Sequence, residues 1–407
     1  MELYFPLILD GATGTELVKR GYDGSMAAES WVIRHPEAIQ EIHRGYIEAG
    51  SDIVYAPTFG ANRVKLEENG IFNQVPSYNK KLVQIAKEGA QGRALVAGDL
   101  SPTGKFLEPL GDVTFPELVE IYREQAQALE EAGVDLFVIE TIMTVPEARA
   151  ALLAVREVSD KPVLVSFTCE NSGRTLTGTD VRAALVILQS MGANLFGLNC
   201  SAGPKEMLVQ IRRLREVAEV PLAVKPNAGL PQVVDGRTVY DCPAEEFVKY
   251  IPDFIAAGAA VFGGCCGTDA SHIAAIRAAL KDFRFKRPAV SPKYRGMLLC
   301  ATEKEVVPLK PGIRADRVLA CGPELEEQIE EENDRETPVI AIRIDAPEDL
   351  DEFGACQYAI RKPLCLVCED AELLDQALAL YQGRALYAGE LPEDVLIPLA
   401  RKYGVII

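Results

Sequence analysis

Short apolar runs alternate with amphipathic stretches from Leu7 to about residue 285. The apolar runs lie at 7–9, 52–55, 94–97, 136–139, 163–167, 195–198, 222–224 and 260–262. Each is short enough for a buried strand, and helical spacing between them recurs at 117–132, 181–191, 206–218 and 244–257. Repeated strand-helix units favour a parallel sheet with helical crossovers, and eight of them favour a closed (β/α)8 TIM barrel. The pairs Ala49-Gly50, Ala132-Gly133 and Ala257-Gly258 stand just before strands, where helix C-terminal glycines are expected.

The residues that end the apolar runs are as regular as the runs themselves. In order the strand ends are Asp10, Pro57-Thr58, Asp99, Glu140-Thr141, Thr168, Asn199-Cys200, Lys225-Pro226-Asn227 and Cys265-Cys266. A ring of polar, acidic and sulfur groups at one end of a barrel is where such folds carry their chemistry. Asp10 and Asp99 also suit a plainer role as N-caps of the following turn.

After the eighth run the pattern breaks. Residues 287–296 have linker character, with Arg287-Pro288 and Ser291-Pro292. Alternation then resumes at 298–300, 339–344, 364–367, 386–387 and 405–407, with helical patterns at 324–332, 372–381 and 392–402. The expected organisation is a barrel over 1–286, a linker over 287–296 and a smaller α/β domain over 297–407 that is too short for a second barrel.

Composition narrows the function. The chain has 407 residues, 48% hydrophobic and 25% charged, as in an ordinary soluble globular protein. A formal net charge of −18 argues against nucleic acid or an anionic membrane surface as a partner. No apolar run reaches the roughly 18 residues of a membrane span, and the first residues lack a secretory signal's basic start. Ten cysteines in such a chain suit reduced thiols in a cytoplasm. With only three histidines, a Ser-His or Cys-His pair is a poor candidate for catalysis.

Cys200, Cys265 and Cys266 carry the strongest chemical signal. Two of them form an adjacent pair inside Gly263-Gly264-Cys265-Cys266-Gly267, and all three come just after barrel strands. A single cysteine usually reads as a small buried hydrophobe. Three thiolates converging at a barrel mouth leave one open position on a tetrahedral Zn²⁺, as in catalytic zinc sites. Cys365-x-x-Cys368 is the rival pair, but its apolar spacing suits a buried strand better.

Together these motifs resemble the homocysteine S-methyltransferase family, zinc-dependent thiol methyltransferases on a (β/α)8 barrel. The resemblance covers about residues 4–283 and rests on Asp10-Gly11-Ala12-Thr13-Gly14-Thr15, Pro57-Thr58-Phe59-Gly60-Ala61-Asn62, Glu140-Thr141, Asn199-Cys200, Lys225-Pro226-Asn227 and Gly263–Gly267. The opening is most similar to the homocysteine module of cobalamin-dependent methionine synthase. More faintly, Lys362-Pro363-Leu364, residues 371–383 and residues 396–407 resemble a shortened piece of a pterin-binding domain; no folate site is carried over. The Asp-x-His-x-x-Gly segment that holds cobalamin does not occur, and His272 reads as a helix-start residue.

The resemblance implies one Zn²⁺ per chain on Cys200, Cys265 and Cys266, which would carry catalysis, with Asn227 oxygen as fourth ligand only while substrate is absent. It implies L-homocysteine as substrate, with Asp10 and Glu140 facing its ammonium. Backbone N–H groups of Gly11 and Ala12 are candidates for its carboxylate, and Thr58, Ser166, Thr168 and Asn199 for further contacts. Methylcobalamin would serve only through a separate corrinoid protein. Alternatives are S-methylmethionine or another donor, another thiol or selenol acceptor, and a non-catalytic zinc-barrel binding protein.

Overall fold

The computed structural model describes residues 2–108, 110–234 and 237–407. It divides into two compact units, one of Met1–Thr177, Ala193–Arg215 and Glu219–Pro288, the other of Gly178–Gly192, Glu216–Ala218 and Ala289–Ile407.

The first unit holds seven strands in succession: β1 (Leu7–Ile8), β2 (Ile53–Tyr55), β3 (Leu95–Leu100), β4 (Leu136–Ile142), β5 (Val163–Phe167), β6 (Leu195–Asn199) and β7 (Leu222–Lys225). A hairpin, β8 (Gln232–Val234) and β9 (Arg237–Val239), precedes the last barrel strand, β10 (Ala259–Phe262). The eight barrel strands are parallel, in the order β1-β10-β7-β6-β5-β4-β3-β2. At the remaining seam, Asp52 N–H donates to Ile8 O at 2.7 Å and Asp52 Oδ2 accepts from Ile8 N–H at 2.8 Å. The result is a nearly closed (β/α)8 barrel.

Strand parity fixes what this barrel contains. Side chains two apart share a face, and Leu7, Leu9, Ile53, Tyr55, Ala97, Leu136, Val138, Leu164, Leu195, Ala223 and Val261 form the buried inner cluster. One step further along the same rows stand Asp99, Glu140, Ser166 and Lys225. The interior is therefore apolar up to its last layer and polar at the C-terminal end.

In the second unit, β11 (Leu298–Ala301) and β12 (Val306–Leu309) pair as an antiparallel hairpin. Strands β13 (Val318–Ala320), β14 (Ile340–Arg343), β15 (Leu364–Val367) and β16 (Leu386–Tyr387) form a parallel sheet in sequential order. Its core gathers Cys300, Leu309, Val339, Ala341, Cys365 and Leu386. The helix Val181–Ser190 groups with this unit although it comes after β5 in sequence. Seven of its ten residues are buried, leaving only Arg182, Gln189 and Ser190 half-buried.

Three expectations are corrected here. The stretch 244–257 is broken into Ala244–Phe247, the 3-10 turn Val248–Tyr250 and Ile251–Ala256, with Pro252 at the break. Residues 405–407 contribute one bridge, Leu386 to Ile406, and no strand. Asp10 caps nothing local, because its Oδ2 accepts from Tyr55 N–H at 2.8 Å, across the barrel wall.

Candidate active site at the barrel mouth

Cys200 stands just past β6, and Cys265 and Cys266 just past β10, with β7 between these two strands. The three sulfurs lie within 4.8 Å of one another, and Cys200 Sγ is 4.0 Å from Cys266 Sγ. Among the described residues this is the one group of metal-capable side chains so arranged.

Local backbone explains the convergence. Cys200 and Ser201 have φ of 59° and 51°, and Thr141, at the end of β4, has φ of 61°. Left-handed backbone at non-glycine residues is strained and is retained where surroundings enforce it. Here Cys200 N–H donates to Lys225 O at 3.2 Å and Ala202 N–H to Cys200 O at 2.6 Å. On the other side, Cys265 N–H donates to Pro226 O at 2.8 Å. The preceding glycines are a steric necessity: a β-carbon on Gly263 would lie 2.8 Å from Leu9 Cβ, and one on Gly264 2.3 Å from Thr268 Oγ1.

The thiols are held protonated without a metal. Cys265 is pushed up to about 12, first by its hydrogen bond to Cys200 and further by burial. Cys200 and Cys266 are also raised: a hydrogen bond within the trio lowers each, and a second one together with burial outweighs it. Two residues past β7, whose loop backbone bonds Cys265 and Cys266, Asn227 is buried with Oδ1 lacking a hydrogen-bond partner. Three sulfurs and an uncommitted carbonyl oxygen fit a tetrahedral soft-metal site.

Deeper in the mouth lies an ionic cluster. Lys225 Nζ stands 3.3 Å from Asp10 Oδ1, 3.6 Å from Glu140 Oε2 and 4.1 Å from the Tyr55 ring centroid. Burial pushes Lys225 down, but Glu140 and Asp10 outweigh it and hold its ammonium well above the usual range. Burial raises Glu140, and Asp10 adds to this against Lys225. Asp99, only 5% exposed, is raised well above the carboxylate range by burial and then by Glu140. Its Oδ1, like Asp10 Oδ1 and Glu140 Oε2, has no hydrogen-bond partner.

The other expected residues divide. Asn199 Oδ1 accepts from Ser166 Oγ at 2.7 Å and Thr141 N–H at 2.9 Å, and its Nδ2 donates to Thr141 Oγ1 at 2.8 Å. Asn199 and Ser166 thus brace the strand end that presents Cys200. Thr58 is fully buried, donating to Asp99 O at 2.8 Å and accepting from Asp99 N–H at 3.0 Å, a wall-to-wall brace. Thr168 is half-buried, its N–H donating to Ile142 O. Ala12 N–H donates to Thr268 Oγ1 at 3.2 Å, so this amide is engaged inside the protein. Gly11 lies tight under Tyr46, whose ring would be 2.6 Å from a β-carbon there. His272 begins a helix, paired with Asp269 at 2.9 Å.

Sequence reasoning did not assign Lys225 or Asp99 a place in the site, although both stand among the strand ends. It also passed over Tyr240, whose hydroxyl hydrogen-bonds Cys266. The available signal was Asp235-Gly236, a hairpin-turn dipeptide lying outside the described residues.

The sequence model of "Homocysteine S-methyltransferase" matches residues 7–280. A methionine synthase of Mycobacterium tuberculosis is 32% identical over 308 residues, 71% of this chain and 25% of that protein. A methionine synthase of Mycobacterium leprae is 32% identical over 294 residues, 67% of this chain and 24% of that protein. The chain therefore spans about a quarter of the length of these relatives. Among solved structures, the metallated form of the Escherichia coli homocysteine methyltransferase MmuM superposes with a TM-score of 0.59 at 26% identity. It covers 67% of this chain and 95% of that one.

Proposed function

Because the chain belongs to the homocysteine S-methyltransferase family, we propose that it methylates the sulfur of L-homocysteine to give methionine, with zinc held by Cys200, Cys265 and Cys266. The observation that carries this reading is the meeting of the three sulfurs at the barrel mouth; the buried, unpartnered Asn227 Oδ1, two residues past β7, is available as a fourth donor. A small free thiol is only a few per cent thiolate at neutral pH. When bound, zinc would take the homocysteine sulfur as a ligand and keep it deprotonated.

The protein's own groups do the rest. Cys200, Cys265 and Cys266 give the site a net negative donor set, which keeps electron density on the incoming sulfur. Asn227 Oδ1 would fill the open position until substrate arrives. Asp10 and Glu140 face the substrate ammonium. In the transfer the donor–CH₃ bond breaks as the S–CH₃ bond forms, and the thiol proton has already left. The donor we propose is a methylated corrinoid protein on a separate chain. A second reading keeps the acceptor and changes the donor to a small sulfonium such as S-methylmethionine; that the barrel covers 95% of MmuM, a homocysteine methyltransferase, is compatible with a donor that does not dock as a protein. No helix among the described residues is long and apolar enough to cross a membrane. A reducing cytoplasm is the compartment we propose for this thiol chemistry. For the second unit we propose a shortened relative of a pterin-binding barrel, its sequential parallel strands being the order a barrel segment would have.

The test is methionine formation by zinc-loaded protein and homocysteine with four donors: methylcobalamin, a methylated corrinoid protein, S-methylmethionine and methyltetrahydrofolate. Slow turnover with methylcobalamin, faster turnover with the corrinoid protein and none with the folate are expected. Docking would orient donor and sulfur in line. Turnover with S-methylmethionine alone would overturn the corrinoid assignment. No methionine from any donor would favour a non-catalytic zinc barrel.

A further inference from the structure

Two observations at the mouth do not fit a site built only from acids and backbone amides. The Ala12 amide is already donating to Thr268 Oγ1. The cation that is present, Lys225, is 6% exposed, yet its contacts to Asp10 and Glu140 at 3.3 and 3.6 Å are long. Charge-assisted N–H···O bonds are about 2.7–2.9 Å, and neither acceptor oxygen has a hydrogen-bond partner. The ammonium is thus confined between two carboxylates at ion-pair distance, without a short hydrogen bond to either.

We propose that Lys225 receives the α-carboxylate of the substrate, so that the mouth selects a zwitterionic amino-acid thiol over other small thiols. This rests on the thiol-methyltransfer reading above. A buried carboxylate must be paired to be tolerated. An amino acid whose ammonium meets Asp10 and Glu140 brings its own carboxylate within a few bonds of Lys225. Protein carboxylates, Lys225, substrate carboxylate and substrate ammonium then alternate in sign around one ring. The Ala223 and Lys225 positions share the inward row of β7, and the Tyr55 ring 4.1 Å away limits how far the ammonium can swing. Lys225 acts on binding and selectivity, not on the sulfur itself.

The experiment uses the full chain loaded with zinc and measures binding by calorimetry of L-homocysteine and of 3-aminopropane-1-thiol, which keeps the thiol and amine but lacks the carboxylate. The unaltered protein should prefer homocysteine by about 10- to 100-fold, the range of a hydrogen bond to a charged group. Lys225→Met should collapse that preference to within about threefold by removing the same bond. Zinc content should hold, and 3-aminopropane-1-thiol should bind at least as tightly, because Asp10 and Glu140 lose their internal cation, whereas homocysteine should lose affinity. Lys225→Arg should keep most of the preference. If the Met variant loses zinc or melts early, Lys225→Gln gives the same comparison with a polar side chain of similar reach. An unchanged preference in either neutral variant, or an equal loss for both thiols, overturns the assignment while leaving the thiol site standing. Absence of binding of either thiol to the unaltered zinc protein would instead overturn the methyltransfer reading.

Discussion

Both units place cysteines just after parallel strands, and in both one strand intervenes between the cysteine-bearing ones. In the barrel β7 separates β6, which leads into Cys200, from β10, which leads into Cys265 and Cys266. In the second unit β14 separates β13, which leads into Cys321, from β15, which leads into Cys368. Among the described residues only the first arrangement brings three metal-capable side chains within 4.8 Å of one another. Neighbouring strands are about 4.8 Å apart, so strands once removed start about 10 Å apart. Barrel curvature, the left-handed turn at Cys200 and the Gly263-Gly264 reach close that gap. In the open sheet, Cys321 Sγ instead donates to Arg343 O at 3.4 Å and Cys368 Sγ to Asp370 O at 3.2 Å. Cysteine placement alone does not make a metal site; closure and local backbone do.

The largest effect that could break this contrast is on metal content. Cys200→Ser, Cys265→Ser and Cys266→Ser should each lose most of about one zinc per chain, because an alcohol is a harder and less acidic donor than a thiol. Cys321→Ser and Cys368→Ser should leave zinc unchanged. Elemental analysis showing full zinc in Cys200→Ser, or loss in Cys368→Ser, would reverse the assignment of the two regions.

Next in size is the pH dependence of zinc affinity. All three barrel thiols are raised above the ordinary thiol value, Cys265 to about 12. They hold their protons near neutrality, and zinc must displace them. Affinity should therefore fall as pH falls, by about one to three orders of magnitude per pH unit for one to three protons released. A competition titration against a chelator between pH 6 and 8 measures this. A flat profile would mean that the sulfurs are already thiolates.

A smaller effect separates substrate holding from metal holding. Glu140→Ala should weaken homocysteine binding by about 10- to 100-fold while zinc stays in place, since a charged hydrogen-bond partner is lost but the thiols remain. Normal homocysteine affinity in this variant would remove β4 from the substrate site.

The barrel and the convergence of Cys200, Cys265 and Cys266 were legible because parity and strand ends are local properties of sequence. The alternation that gave eight strands also put a polar residue one layer beyond the inner core. The engagement of Ala12 by Thr268 was not legible, because 256 residues separate the partners. Lys225 was visible as a strand end, but its placement between Asp10 and Glu140 depends on three strands meeting around an axis. The grouping of the Val181–Ser190 helix with the second unit was hidden for the same reason: a largely apolar helix shows that it is covered, not by what.

The smallest effect concerns the cost of assembling such a mouth. Asp99 is raised well above an unfolded carboxyl by burial and by Glu140. The unfolded value is about 3.9. Between that value and the folded one, the folded chain keeps a proton that the unfolded chain releases. Stability therefore declines as pH rises through this window, and the deficit is fully present above it. Asp99→Asn removes the deficit, so the variant should melt about 2–4 °C higher than the unaltered protein at pH 7, for roughly 1 kcal/mol gained. The advantage should vanish near pH 3, where both states are protonated. The second unit supplies the control. Its buried Glu332 pairs with Arg335 at 2.9 Å, so Glu332→Gln breaks an ion pair where Asp99→Asn relieves a crowded acid, and stability should drop slightly. Calorimetric melting of both variants at pH 3 and 7 measures the difference. A loss of stability in Asp99→Asn at pH 7 would show that Asp99 is braced by its surroundings, not strained by them.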